Sequence, residues 1–299
     1  MSSILRTQAL TKRFRHTEAV NELTFEVPEG SVYAFVGPNG AGKTTTIKLL
    51  MNMVTPTSGE SAVLNVDSRR LGPEEFRRIG YVSENQELPT WMTVGYFLNY
   101  CKAFYPSWDD SLADSLIRQF QLPLDRKLRH LSRGMKMKAA LASSLAYRPP
   151  LVILDEPFSG LDALVRDELI ESIVERADEM TIFLSSHDLA EIESFSSHIG
   201  YLDNGRLQFS EELTSLASRV REIEVSLDAP PPVPPSWPPG WLQPETSPAL
   251  VRFVDTHFDH NRTMSEIRRL FPSVRDVAVN AMPLRSIFVA LARAGRKAA

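Results

Sequence analysis

Gly37-Pro-Asn39-Gly40-Ala-Gly42-Lys43-Thr44-Thr45 constrains this chain more than any other stretch. It completes the pattern G-x-x-x-x-G-K-[ST], a loop whose backbone N–H groups cradle phosphate oxygens. Its flanks suit that task. Ser31-Val-Tyr-Ala-Phe-Val36 predicts a short buried strand, and from Thr44 to Met53 apolar residues recur at helical spacing (Ile47, Leu50, Met51). Glycines let the backbone turn tightly, and the start of the following helix adds its positive dipole end. Lys43 is then expected to reach the outer phosphates of a nucleotide, with the Thr44 hydroxyl on Mg²⁺. Gly37, Asn39, Gly40, Gly42, Lys43, Thr44 and Thr45 form the candidate phosphate-binding set.

With 299 residues, the chain has room for a large core and for two domains. A net charge of -4 gives no sign of a nucleic-acid or membrane binder, so no direct nucleic-acid contact is expected. One cysteine, Cys101, excludes an internal disulfide and a multi-cysteine zinc site. No apolar run approaches the ~18 residues of a membrane span. The N-terminal Met1-Ser-Ser-Ile-Leu-Arg6 lacks the apolar stretch of a secretion signal. The expected location is the cytoplasm, with membrane contact only through a partner or the surface.

Residues 1–30 alternate as strands do, with a turn near His16. Further strands are expected at Ile79–Ser83, Leu151–Leu154 and Thr181–Leu184, with an amphipathic helix at Leu164–Ala177. Residues 85–150 read as a helical insertion. The predicted fold class is therefore α/β, a P-loop fold with a mainly parallel sheet, an N-terminal antiparallel part and an inserted helical subdomain. A domain boundary is expected at 217/218, followed by a small α+β domain over 218–299. Nine of the 21 prolines crowd into Pro230–Pro248, a stiff loop expected to be unable to join a sheet interior. Strand-like patches at Glu222–Leu227 and Ala249–Val254 flank it, and a helix is expected at Met264–Phe271.

A P-loop needs a carboxylate near the metal. Leu151-Val-Ile-Leu-Asp155-Glu156-Pro157 places two at the end of a buried strand. Asp155 is the expected Mg²⁺ ligand, directly or through water. Glu156 can orient and polarise the water that attacks the γ-phosphate, since phosphoryl transfer needs mainly positioning and charge compensation.

Leu131-Ser132-Arg133-Gly134-Met135 resembles the signature segment of ABC-type ATPases, and Ser159-Gly160-Leu161-Asp162 their D-loop. His187, after Thr181–Ser186, stands as the family's switch histidine does, and Phe14, 29 residues before Lys43, as its adenine-stacking aromatic. The resemblance covers roughly residues 3–215. It implies a head-to-tail dimer, homomeric or heteromeric, with ATP held between one subunit's P-loop and the other's Ser132 and Gly134. It also implies a nucleotide role for Asp162, a catalytic set of Lys43, Glu156 and His187, and a separate transmembrane permease partner.

Three residues at two places depart from the family's pattern. Arg133 and Met135 replace a glycine and a glutamine, and Glu84 stands where a metal-contacting glutamine ends the strand Ile79–Ser83. Carboxylate oxygen can still bind Mg²⁺, so Glu84 joins Thr44 and Asp155 as a candidate metal ligand. The Arg133 guanidinium is expected to add positive charge near phosphate.

Seven aromatics fall in the stretch from Trp91 to Trp108, both tryptophans included. Phe97, Tyr100 and Phe104 fit one helix face as core, while Trp91 and Trp108 are the candidates for a surface that docks the permease. Residues 262–299 carry eight Arg or Lys against two acids, a net +6. A solvated helix face accounts for this, and contact with anionic headgroups is the other reading. The expected function is the ATP-hydrolysing subunit of an ABC transporter, of the exporter branch and peripheral on the inner membrane face. The competing readings are a soluble ABC ATPase acting on nucleic acid or ribosomes, and an ATP-binding regulatory module with little turnover.

Overall fold

The computed structural model describes residues 2–231, 234 and 236–298. Pro232, Val233 and Pro235 of the expected proline-rich loop lie outside them. The described chain divides into two compact units, Met1–Ser210 and Glu211–Ala299.

Along the first unit run β1 (Ser3–Phe14), β2 (Thr17–Pro28), β3 (Val32–Val36), α1 (Lys43–Leu50), β4 (Ser58–Val63), β5 (Val66–Asp67), the single turn α2 (Pro73–Phe76) and β6 (Ile79–Ser83). Next come α3 (Val94–Lys102), α4 (Asp110–Gln119), α5 (Arg133–Leu145), β7 (Leu151–Asp155), α6 (Ala163–Val174), β8 (Thr181–Ser186), β9 (His198–Asp203) and β10 (Arg206–Glu212). An antiparallel sheet has the order β2-β1-β4-β5, and a second sheet the order β10-β9-β3-β8-β7-β6. In the latter, β9, β3, β8, β7 and β6 are mutually parallel. Every residue of β3, β7 and β8 is buried, as continuous apolar strands covered on both faces must be. The rings of Phe25 from β2, Tyr33 and Phe35 from β3, and Phe183 from β8 meet at centroid separations of 5.3–6.0 Å. Together with Ile47, Leu50 and Ile153 they form one apolar core under the P-loop helix.

The registers place the strand ends with care. Val36 lies opposite Ser186, Ser185 opposite Asp155, and Asp155 opposite Ser83. Four parallel strands therefore release their next residues, Gly37, His187, Glu156 and Glu84, along one edge. That edge is where ligands bind in open α/β sheets.

Three capped helices make up the insertion, with Thr93, Asp109 and Ser132 each accepting an N–H of the first turn. One expectation is corrected here. Phe97 is buried, but Tyr100 and Phe104 are about half exposed. Helix α3 ends at Lys102, so Phe104 lies beyond its face, packed edge-on against Tyr100 at 5.1 Å.

In the second unit, α7 (Leu213–Arg219) leads into β11 (Arg221–Leu227), β12 (Trp241–Ser247), β13 (Leu250–Asp255), α8 (His260–Leu270), β14 (Val274–Ala281) and α9 (Leu284–Ala298). An antiparallel sheet of order β12-β13-β11-β14 packs Ile223, Val225, Trp241 and Phe253 against Ile267 and Phe271. Proline does enter a strand here. Pro244 sits in β12, and β12 is an edge, where a missing N–H costs no ladder bond.

Candidate active site

The strand edge opens into a cleft of about 620 Å³, lined among others by Asn39, Gly40, Gly42, Lys43, Thr44 and Thr45. Gly40 and Gly42 have φ of 80° and 108°, values L side chains rarely adopt. Gly37 does not line the cleft. A Cβ there would fall 2.2 Å from the Leu202 carbonyl oxygen, so this glycine lets the loop pack on β9.

Lys43 is buried, and its ammonium donates to the carbonyls of Gly37 (2.6 Å) and Pro38 (3.2 Å). It also pairs with Glu156 Oε1 at 3.0 Å. The other oxygen, Oε2, lies 2.8 Å from His187 Nδ1. Glu156 has φ of 53°, a strained conformation for a residue with a Cβ and one that concentrates at functional sites.

Asp155 lies just beneath, 3% exposed. Its Oδ1 accepts from Ser185 Oγ (2.7 Å) and from Thr44 Oγ1 (3.1 Å). Burial raises its carboxyl pKa above the usual range, and the Ser185 and Thr44 hydrogen bonds hold it partly back. Such a carboxylate gains from a cation beside it, and carboxylate and hydroxyl oxygens are the hard donors that Mg²⁺ prefers. Glu84 follows β6, its N–H donating to the Asp155 carbonyl at 2.9 Å, and its side chain lines the cleft.

The Arg133 guanidinium pairs with Glu84 of its own chain. Ser132 and Asp162 lie outside the cleft lining, where they cap α5 and α6 by accepting from the N–H groups of Met135 and Val165. Gly134 is buried because α6 crosses it, and a Cβ there would come 2.8 Å from a Val165 methyl. Phe14 does not line the cleft either. It is 45% exposed at the end of β1, with the Lys12 ammonium 4.9 Å from its ring centroid. Its neighbours Thr17, Glu18 and Ala19 do line it.

Sequence reasoning missed Ser185, which also accepts the Glu156 N–H at 2.9 Å and so ties the Asp155 carboxylate to the Glu156 backbone. It missed Glu191 too, whose Oε2 accepts from Ser186 Oγ (2.9 Å) beside His187 and whose Oε1 pairs with Arg166 of α6 (3.5 Å). Serines inside an apolar strand and a glutamate after it carry no periodic signal.

Residues 20–159 match the ABC transporter family. The bacitracin transport ATP-binding protein BcrA of Bacillus licheniformis is 35% identical over 211 residues, 69% of either chain. The lantibiotic transport ATP-binding protein SrtF of Streptococcus pyogenes is 31% identical over 70% of this chain and 91% of its own. This chain belongs to the ABC transporter family. A solved ATP-binding subunit of an ABC transporter superposes at a TM-score of 0.66 with 29% identity, covering 72% of this chain and 92% of that one. A dimeric post-hydrolysis cassette bound to ADP and Pi shares the fold at a TM-score of 0.61 and 23% identity. The P-loop α/β architecture expected from the sequence is thus the family's own. The chain is an ABC ATP-binding subunit, an ATPase that serves transport.

Proposed function

We propose that this subunit hydrolyses Mg-ATP in the cleft at the ends of β3, β6, β7 and β8, and that turnover drives export through a separate permease. The observation that carries the reading is the convergence there of Lys43, Thr44, Glu84, Asp155, Glu156 and His187. Lys43 leaves Glu156 for the outer phosphates, and the loop N–H groups around Gly40 and Gly42 cradle the rest. Glu156, released, accepts a proton from the attacking water while His187 holds its other oxygen and the γ-phosphate side. Thr44, Asp155 and Glu84 are the residues to hold Mg²⁺, which when bound supplies charge compensation for the transferring phosphoryl group. Ser185 holds the Asp155 carboxylate against the Glu156 backbone.

Ser132, Gly134 and Asp162 lie away from this cleft, which suits a head-to-tail pair in which they complete the partner's site. A helix start is a ready anion site for a γ-phosphate. Phe14 stacks on adenine once the base lies over Thr17–Ala19. Trp91 (63% exposed) and Tyr96 (55%) touch at 5.8 Å beside exposed Tyr100 and Phe104, an apolar surface suited to a permease segment. Trp108 is half-buried and is the weaker contact. Among the described residues no helix is long and apolar enough to cross a membrane. A peripheral place on the cytoplasmic face follows from work beside a permease. We take the region from 218 onward as an accessory α+β domain. The bacitracin and lantibiotic relatives make peptide cargo the first to try. Co-expression with candidate permeases tests the reading: the true partner co-purifies and raises ATP turnover, and Lys43→Ala abolishes that turnover. Stimulation that survives Lys43→Ala would defeat it.

A further inference from the structure

The two departures from the family's pattern meet. Arg133 and Glu84 are 49 positions apart, yet the guanidinium pairs with Glu84 Oε1, the same oxygen that accepts from Ser159 Oγ at 3.0 Å. Gly160 makes the room. A Cβ there would lie 2.9 Å from Arg133 Nη1, and φ of 66° disfavours one independently. Three segments therefore converge on one carboxylate oxygen: the start of α5, the D-loop and the end of β6.

Each residue alone is a liability. Glu84 adds negative charge to a cleft that already sets Asp155 and Glu156 against Lys43 and is to receive a polyanion. Arg133 puts positive charge in the first turn of α5, which holds no acid, at the dipole end that favours anions. Paired, the two charges cancel. With Oε1 taken, no donor among the described residues is bonded to Oε2, and Glu84 still lines the cleft.

We infer that Glu84 and Arg133 work as one charge-balanced unit. Arg133 is a positioning residue that anchors Oε1, so the pair offers Mg-ATP one acceptor oxygen and no net charge, as a neutral amide side chain would. The inference rests on the reading that this cleft takes Mg-ATP.

Equilibrium binding of a non-hydrolysable ATP analogue with Mg²⁺ tests it without relying on turnover. Arg133→Gln keeps a helix-compatible side chain and removes the charge. It should weaken binding by about tenfold, the scale of one uncompensated charge in a partly exposed cleft. In a chain already carrying Glu84→Gln, the same substitution should change affinity less than about twofold, because no carboxylate is left to neutralise. Arg133→Lys should stay within about threefold of the parent. A tenfold loss in both backgrounds would overturn the inference, by assigning Arg133 to phosphate directly. No loss in either background would overturn it as well. Failure of the underlying reading looks different: Lys43→Ala would leave the parent's affinity unchanged.

Discussion

Nucleotide has to compete with Glu156 for Lys43, and the cost of that competition is measurable. The pair is 3.0 Å long, with the side chains only 5% and 12% exposed. Solvent screens it little, and a hydrogen bond between charged groups in such a place is worth roughly 1.5–3 kcal/mol net. Glu156→Gln keeps an amide oxygen for the ammonium but removes the charge, so about 1–2 kcal/mol of the displacement cost should vanish. Loss of repulsion between carboxylate and γ-phosphate acts in the same direction. The variant should bind a non-hydrolysable ATP analogue about 5- to 30-fold more tightly than the parent. Titration calorimetry at matched Mg²⁺ reads this directly. Equal or weaker affinity would refute the argument that Lys43 is held in reserve by Glu156.

Asp155→Asn should raise the melting temperature of nucleotide-free protein at pH 8. Burial raises the folded-state pKa of Asp155, so its ionised form opposes folding above that pKa, and the opposition is absent below the unfolded value of about 3.9. The gain should therefore close as pH falls toward 4, and a lower melting temperature at pH 8 would contradict the sign. Ser185→Ala removes a donor to Asp155 and the acceptor of the Glu156 N–H. It should cost about 1–3 kcal/mol in urea unfolding, and an unchanged midpoint would mean the serine is dispensable. Trp91→Ala should leave basal ATPase intact but abolish stimulation by the co-purified permease, and full stimulation would remove Trp91 from the docking surface.

Much of the fold could be read from local pattern because its central strands are covered on both faces. β6, β7 and β8 begin where continuous apolar runs begin, and the P-loop marks its own strand and helix. β12 escaped because Pro244 argues against a strand, and only the finished sheet shows that this position is an edge. Tyr100 and Phe104 were misplaced because helical spacing assumes a helix long enough to carry both, whereas α3 stops between them. The site was legible wherever one short segment carries its chemistry, as at Lys43–Thr44 and Asp155–Glu156. It was illegible where chemistry depends on a meeting of distant segments. Glu84 and Arg133 looked like two separate departures, and Ser185 looked like a strand residue. Sheet register and the packing of α5 bring each to its partner, and neither is periodic in the sequence.

The most direct test of the account is size-exclusion chromatography of Glu156→Gln with and without Mg-ATP, read beside the steady-state ATPase rate of the parent chain. A composite site shared between two copies predicts that the variant elutes as a monomer alone and as a dimer with Mg-ATP, and that the parent hydrolyses ATP. A variant that binds Mg-ATP yet stays monomeric, beside a parent with no turnover, would contradict a self-sufficient pair.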